Sequence, residues 1–256
     1  MTSRMRLDAL LVHKGLVESR EKARAMILAG QVDVGGHGAH KAGTMVDIAA
    51  DVRIVGPEHP WVGRGGIKLA HALETFGVDV NGLLTLDIGA STGGFTDVAL
   101  QRGARHVIAL DVGHGQLHWK LRQDPRVTVI EGANARHLTR EALPDIGPGV
   151  DLVVIDVSFI SLALIFPVLP PLLAPGARVI ALVKPQFEAG RRDVGKKGVV
   201  SRPDVHERVL AEVTAAAAGV GLERRGVTES PITGAEGNKE FLLLLVPRAR
   251  AADILA

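Results

Sequence analysis

Leu84-Thr85-Leu86-Asp87-Ile88-Gly89-Ala90-Ser91-Thr92-Gly93-Gly94-Phe95-Thr96-Asp97 begins as an apolar strand and ends as a helix, with three glycines and small hydroxyl residues between. Glycine allows left-handed or crowded backbone, so a ligand can approach the main chain itself. A strand that stops at such a turn and feeds a helix leaves N–H groups facing whatever sits above the strand end. That is the nucleotide-binding position of a doubly wound α/β sheet.

Three readings compete for the turn. It is not Gly-x-Gly-x-x-Gly, because Ser91 stands at the second glycine, which disfavours a pyrophosphate-binding NAD site. Gly89, Ser91 and Gly93 do form Gly-x-Ser-x-Gly, which in a hydrolase would make Ser91 a nucleophile on a strained elbow. The third reading is Asp-x-Gly-x-x-x-Gly-Gly, the first motif of methyltransferases that bind S-adenosylmethionine (SAM). The rest of the chain has to decide.

Downstream, His106–Asp111 is a second buried strand ending in an acid, and Asp111 lies about 20 positions past Gly89, where such folds place a carboxylate on a ribose hydroxyl pair. That implies an adenosyl ligand without saying which. Val127–Ile130 is a third strand. Asn134 beyond it reads either as an amide for an adenine edge or as the N-cap of a short helix. Asp151–Asp156 and Ala177–Val183 are strands of the kind buried on both faces, and they carry Asp156 and Lys184 to one edge. Beside an adenosyl-binding loop that pair reads as functional, with a structural ion pair as the plain alternative. Leu222–Thr228 and Glu240–Val246 complete the sheet, after a helix at Pro203–Ala218. Upstream, Gly65-Gly66-Ile67-Lys68 opens an amphipathic helix. Lys68 sits against the helix dipole there, which makes it either a surface lysine or a residue with work to do.

The first sixty residues form a miniature domain. Arg6–Val12 has helical spacing and is closed by Gly15. Ser19 fits an N-cap for Arg20–Ala29, and Gly30 stops that helix. Gln31–Val34 and Asp51–Val55 read as short strands, with Gly35-Gly36 as a turn. Gly56–Trp61, with two prolines and no periodicity, reads as linker, and Trp61 is placed to pin the domains together. On spacing, Arg20, Lys22 and Arg24 are a solvated helix face.

Composition limits the rest. At 256 residues there is room for one α/β domain and a small companion, and a hydrophobic content of 46% supports a core. Thirty Lys+Arg against 28 Asp+Glu give +2, so any nucleic-acid contact comes from local basic patches. Arg191, Arg192, Lys196, Lys197 and Arg202 form one, in a loop with three glycines. Aromatics are scarce at 3%, which disfavours broad base-stacking platforms. The absence of cysteine fits a cytoplasmic protein, and no apolar run reaches membrane-spanning length.

The order Arg6-Leu7-Asp8, Ser19-Arg20, Ala23, Ile27, Gly30-x-Val32-x-Val34 resembles the small RNA-binding module of the ribosomal-protein-S4-like type. It implies that Arg6, Arg20, Lys22 and Arg24, with Lys41 in the next loop, grip RNA phosphates. From end to end the chain resembles the TlyA (hemolysin A-like) family of RNA methyltransferases. The matching stretches are Gly65–Leu69, Asp87–Asp97, Asp111–Leu117, Asp156–Ser161, Val183–Glu188 and Gly237–Glu240. The second half also resembles FtsJ-type ribose 2′-O-methyltransferases, whose Lys-Asp-Lys-Glu set is matched by Lys68, Asp156, Lys184 and Glu240.

The resemblance implies a Rossmann-like SAM-dependent methyltransferase, a seven-stranded and mostly parallel sheet over residues 64–256. A small α+β RNA-binding domain at 1–56 and a linker at 57–63 precede it. SAM would be held by Asp87, Gly89, Ala90, Ser91, Thr92, Gly93, Gly94, Phe95, Asp111, Val112, Asn134 and Asp156. Arg64, Arg191, Arg192, Lys196 and Lys197 would add RNA contacts. The implied reaction is methyl transfer to a cytidine 2′-oxygen of ribosomal RNA, within ribosomal subunits. It would need no metal and be carried out by a cytoplasmic monomer or weak oligomer. Lys184 would act as base or as charge stabiliser, oriented by Asp156, with Lys68 and Glu240 beside the ribose. The alternative, from the family's other name, is a membrane-active hemolysin, but the long exposed amphipathic segment that lysis needs is missing from the sequence.

Overall fold

The computed structural model describes residues 3–28, 30–39, 41–55, 59–195 and 198–248, so Lys196 and Lys197 lie outside the described residues. The chain divides into two compact units, Met1–Gly66 and Ile67–Ala256.

In the first unit, α1 (Leu7–His13) follows a short strand β1 (Arg4–Arg6), and α2 (Arg20–Leu28) follows Ser19. The Ser19 hydroxyl caps α2 by accepting from the Lys22 N–H at 3.1 Å, while Gly15 and Gly30 leave the helices at φ +68° and +73°. β2 (Val32–Val34) and β3 (His37–Gly38) form a hairpin whose turn has Gly35 and Gly36 at positive φ. β4 (Met45–Asp47) pairs with β1, and β5 (Val52–Ile54) pairs with β2. β1 and β4 carry no alternating apolar pattern and are absent from the sequence reading. Leu7, Leu10, Leu11, Ala23, Ile27 and Val32 form the core. Trp61 stacks on His59 and lies over Gly66, where a Cβ would fall 2.7 Å from the indole.

In the second unit, α3 (Gly65–Phe76) leads to β6 (Leu84–Ile88), α4 (Gly94–Gln101), β7 (His106–Leu110), α5 (Trp119–Arg122) and β8 (Val127–Ile130). Then come β9 (Val150–Ile155), β10 (Leu173–Val183), α6 (Pro185–Glu188), α7 (Pro203–Gly219), β11 (Leu222–Glu229) and β12 (Phe241–Pro247). The seven strands lie in the order β11-β12-β10-β9-β6-β7-β8. β12 runs antiparallel to both neighbours and the remaining pairs are parallel.

β10 starts at Leu173 rather than Ala177, and its register against β9 shifts between Leu173 and Arg178, around Pro175-Gly176. The crossover between β9 and β10 is three 3-10 turns, Leu162–Leu164, Phe166–Val168 and Pro170–Leu172, instead of an α-helix. Pro167, Pro170 and Pro171 remove the N–H groups an α-helix would need. β6 and most of β9 are buried on both faces, as their unbroken apolar runs require.

Candidate active site

Sheet order decides which residues meet. Val183 on β10 is paired with Phe241 on β12, and Ala181 with Ile155 on β9; Ile155 is paired in turn with Ile88 on β6. Glu240, Lys184, Asp156, Gly89 and Asp111 therefore stand side by side along one edge, each just beyond its own strand.

Two lysine–carboxylate pairs occupy this edge. Lys184 Nζ lies 2.5 Å from Asp156 Oδ1 and donates to Ser158 Oγ at 2.9 Å. Lys68 Nζ, in the first turn of α3, donates to Glu240 Oε2 at 2.5 Å. α3 is held over β11 by His71 against Thr228 and by Phe76 over Gly226. Glu240 is 2% exposed and both lysines 9%. A glycine is required at 234, because a Cβ there would fall 1.9 Å from the Glu240 carboxylate. Charges this deep persist only when paired.

Beside the pairs lies a cavity of about 720 Å³, lined by Gly89, Ser91, Asp111, Val112, Asn134 and Asp156 among the expected residues. Gln116, Ser158, Phe159 and Phe187 also line it and were given no role in the sequence reading. Gly89 has φ +87°, and a Cβ on it would fall 2.4 Å from the Asp156 carbonyl oxygen. Glycine is thus what lets β6 and β9 end against each other under the cavity. The Asp111 carboxylate accepts from the N–H groups of Ser91 and Gly113, which fixes it at the rim. Asn134 lines the cavity and also caps the following 3-10 turn through the Arg136 N–H.

The remaining motif residues are placed differently. The N–H groups of Gly89, Ala90, Ser91 and Gly93 bond within the protein, so the turn acts as a shaped wall more than as a cradle of open donors. Ala90, Thr92, Gly93, Gly94 and Phe95 are not on the main cavity wall. Gly93 instead makes room for Leu117 and Leu121, and Phe95 is core. Asp87 is fully buried and accepts from Thr96 Oγ1 at 2.6 Å. Burial pushes its carboxyl up to about 7, against that bond, and the charges of Asp156 and Asp111 push the same way.

This fold, with one reversed strand and a glycine turn after the first strand of the sheet, agrees with what family comparison finds. Residues 61–246 match the FtsJ-like methyltransferase family, and residues 5–52 match the S4 domain. The chain belongs to the FtsJ-like methyltransferase family. It is 49% identical over 246 residues to the Mycobacterium tuberculosis 16S/23S rRNA (cytidine-2'-O)-methyltransferase TlyA, covering 96% of this chain and 91% of that protein. It is 42% identical to Hemolysin A of Brachyspira hyodysenteriae, over 93% of this chain and 98% of the relative. A solved chain from Streptococcus thermophilus superposes with a TM-score of 0.75 at 45% identity, over 97% and 90% of the two chains. A SAM-dependent methyltransferase from Mesorhizobium loti shares the fold at 20% identity and a TM-score of 0.50, over 70% and 96%.

The S4-type unit holds its basic residues in an unforeseen way. Arg6, Arg20 and Arg24 all donate to Asp8, which is completely buried. The Arg6 hydrogen bond, then those of Arg20 and Arg24, hold the Asp8 carboxyl well below the usual carboxylate range despite its burial. The three guanidinium groups stay about half exposed, so one carboxylate gathers three outward-facing cations. Lys22 pairs with Glu18 instead, and Lys41 is exposed. Arg191 and Arg192 are exposed, while Arg64 is half-buried. No helix among the described residues is long and apolar enough to cross a membrane.

Proposed function

We propose that this protein transfers a methyl group from SAM to the 2′-oxygen of a cytidine in ribosomal RNA. The observation that carries the reading is the row of strand ends that sets Asp156, the partner of Lys184, on the wall of a cavity large enough for a nucleoside cofactor. SAM fits the donor set: the apolar wall suits an adenosine, and Asp111 and Asp156 complement a ligand that carries a sulfonium and an ammonium. Bound there, SAM supplies a methyl group already activated for displacement.

The chain's own contribution is then position and charge. Lys184 would meet the ribose 2′-hydroxyl. It donates a hydrogen bond to a hydroxyl oxygen at 2.9 Å and forms an ion pair with a carboxylate at 2.5 Å. We therefore assign it stabilisation of the negative charge that grows on the 2′-oxygen as the C–S bond to the methyl group breaks, the O–C bond forms and the hydroxyl proton passes to water. Asp156 orients it, and the Lys68–Glu240 pair bounds the ribose on the other side of β10. Arg6, Arg20 and Arg24 would grip RNA phosphates, with Lys41, Arg64, Arg191, Arg192, Lys196 and Lys197 as further contacts. The relative named for both 16S and 23S rRNA supports substrates in either subunit.

The test is radiolabel transfer from SAM to purified small subunits, large subunits and naked rRNA lacking the modification. Label that resists alkaline hydrolysis at a cytidine is the expected result. SAM binding without transfer to any of the three would overturn the substrate, and no SAM binding would overturn the reaction.

A further inference from the structure

The segment after β9 contains the one aromatic residue among the described ones with a left-handed backbone: Phe159 has φ +63° and is 90% exposed. An L residue with a large side chain takes this conformation at a cost, and it persists only where the surroundings demand it. Here they do. The Phe159 ring meets Phe187 of α6 at 4.9 Å between centroids. Ser161 Oγ and the Leu162 N–H both donate to Glu188 at the end of α6, at 2.6 and 2.9 Å. The turn is thereby clamped to the element that begins one residue after Lys184.

What the clamp fixes in space is Ser158. Its hydroxyl lies on the cavity wall and accepts from Lys184 Nζ, whereas Lys184 itself is almost wholly buried. An ammonium has three N–H donors. Ser158 takes one of them, and the Asp156 carboxylate 2.5 Å away pairs with the charge, so the two together hold the ammonium and leave an N–H for the cavity.

We infer that Ser158 is a positioning residue for Lys184, held by the strained Ser158–Phe159 turn so that the remaining ammonium N–H points at the reacting ribose oxygen. The inference rests on the 2′-O-methyltransferase reading above. The side chain is exposed and makes no core contact, so its removal leaves the fold intact and changes only where the ammonium points.

Single-turnover methyl transfer to ribosomal subunits should be measured for wild type, Ser158→Ala and Ser158→Thr, together with SAM binding and melting temperature. Ser158→Ala should transfer about 10- to 100-fold more slowly, as expected for a misdirected group, with melting temperature unchanged and SAM affinity within about twofold. Ser158→Thr keeps the hydroxyl and should recover most of the rate. Wild-type speed in Ser158→Ala, or a loss that Ser158→Thr does not repair, overturns the inference while the parent activity stands. A wild-type protein that binds SAM and methylates no subunit overturns both.

Discussion

Replacing Asp87 by Asn should make the protein more stable at alkaline pH and leave it nearly unchanged in acid. Asp87, the penultimate residue of β6, is fully buried; one carboxylate oxygen accepts from Thr96, and the other is buried without a partner among the described residues. Burial raises this carboxyl from 3.8 to about 7. Below pH 4 both the folded and unfolded chains hold the proton. Between about 4 and 7 the unfolded chain has lost it and the folded chain keeps it, so stability falls as pH rises through this window. Above about 7 the folded protein carries a buried carboxylate and the deficit is constant. Roughly three pH units at 1.36 kcal/mol each set a ceiling of about 4 kcal/mol, and relaxation around the charge leaves about 2–4 kcal/mol. Asparagine copies the protonated form: its carbonyl accepts from Thr96, and its amide replaces the unpaired oxygen. Urea unfolding of both proteins without ligand, at pH 5, 6, 7 and 8, isolates the residue, because other titrations cancel in the difference. Only about two of those units titrate between pH 5 and 8, so the variant's advantage over wild type should grow by about 1–3 kcal/mol across that range. Stability curves that run parallel across this range would refute a protonated Asp87 and the dry floor it implies beneath the cavity.

Other substitutions report on the remaining parts of the site. Gly89→Ala combines a left-handed φ with a Cβ 2.4 Å from the Asp156 carbonyl; a loss of about 2–4 kcal/mol in chemical unfolding is expected, with SAM binding impaired in equilibrium dialysis. Lys184→Ala should abolish methyl transfer while SAM affinity stays largely intact; lost SAM binding would move Lys184 to the cofactor site. Glu240→Ala strands the buried Lys68 ammonium and should cost about 3 kcal/mol, read by thermal or urea unfolding. Arg20→Ala combined with Arg24→Ala should weaken RNA binding and make its dependence on log salt shallower by roughly two, with SAM affinity unchanged in the same preparation.

The strand ends of the catalytic unit were legible because parallel strands announce themselves as continuous apolar runs. Asp111, Asp156 and Lys184 each follow such a run directly, and Asp87 sits inside one. Where prolines interrupt the pattern, periodicity gives no element for a physical reason: the β9–β10 crossover is apolar, yet Pro167, Pro170 and Pro171 break it into 3-10 turns. In the small unit, β1 and β4 are three residues each and owe their existence to pairing with one another, which no local pattern records.

Partnership is what the chain order hides. Lys68 precedes both acids of the proposed catalytic set, and nothing in its spacing tells whether it joins Asp156 or Glu240. The reversal of β12 settles this by bringing Glu240 to the lysine of α3, and leaving Asp156 to Lys184 across the β9–β10 pair. Asp8 shows the same point from the other direction. It reads as one polar residue in an amphipathic helix, yet it is the buried anchor of three arginines drawn from two elements. A carboxylate so placed keeps those guanidinium groups together, so in the proposed RNA contact less side-chain freedom would remain to be lost on binding. The basic face of the small unit is therefore preorganised by an acid. Charge counting along the sequence is blind to such an arrangement, because it scores Asp8 as subtracting from the very surface it assembles.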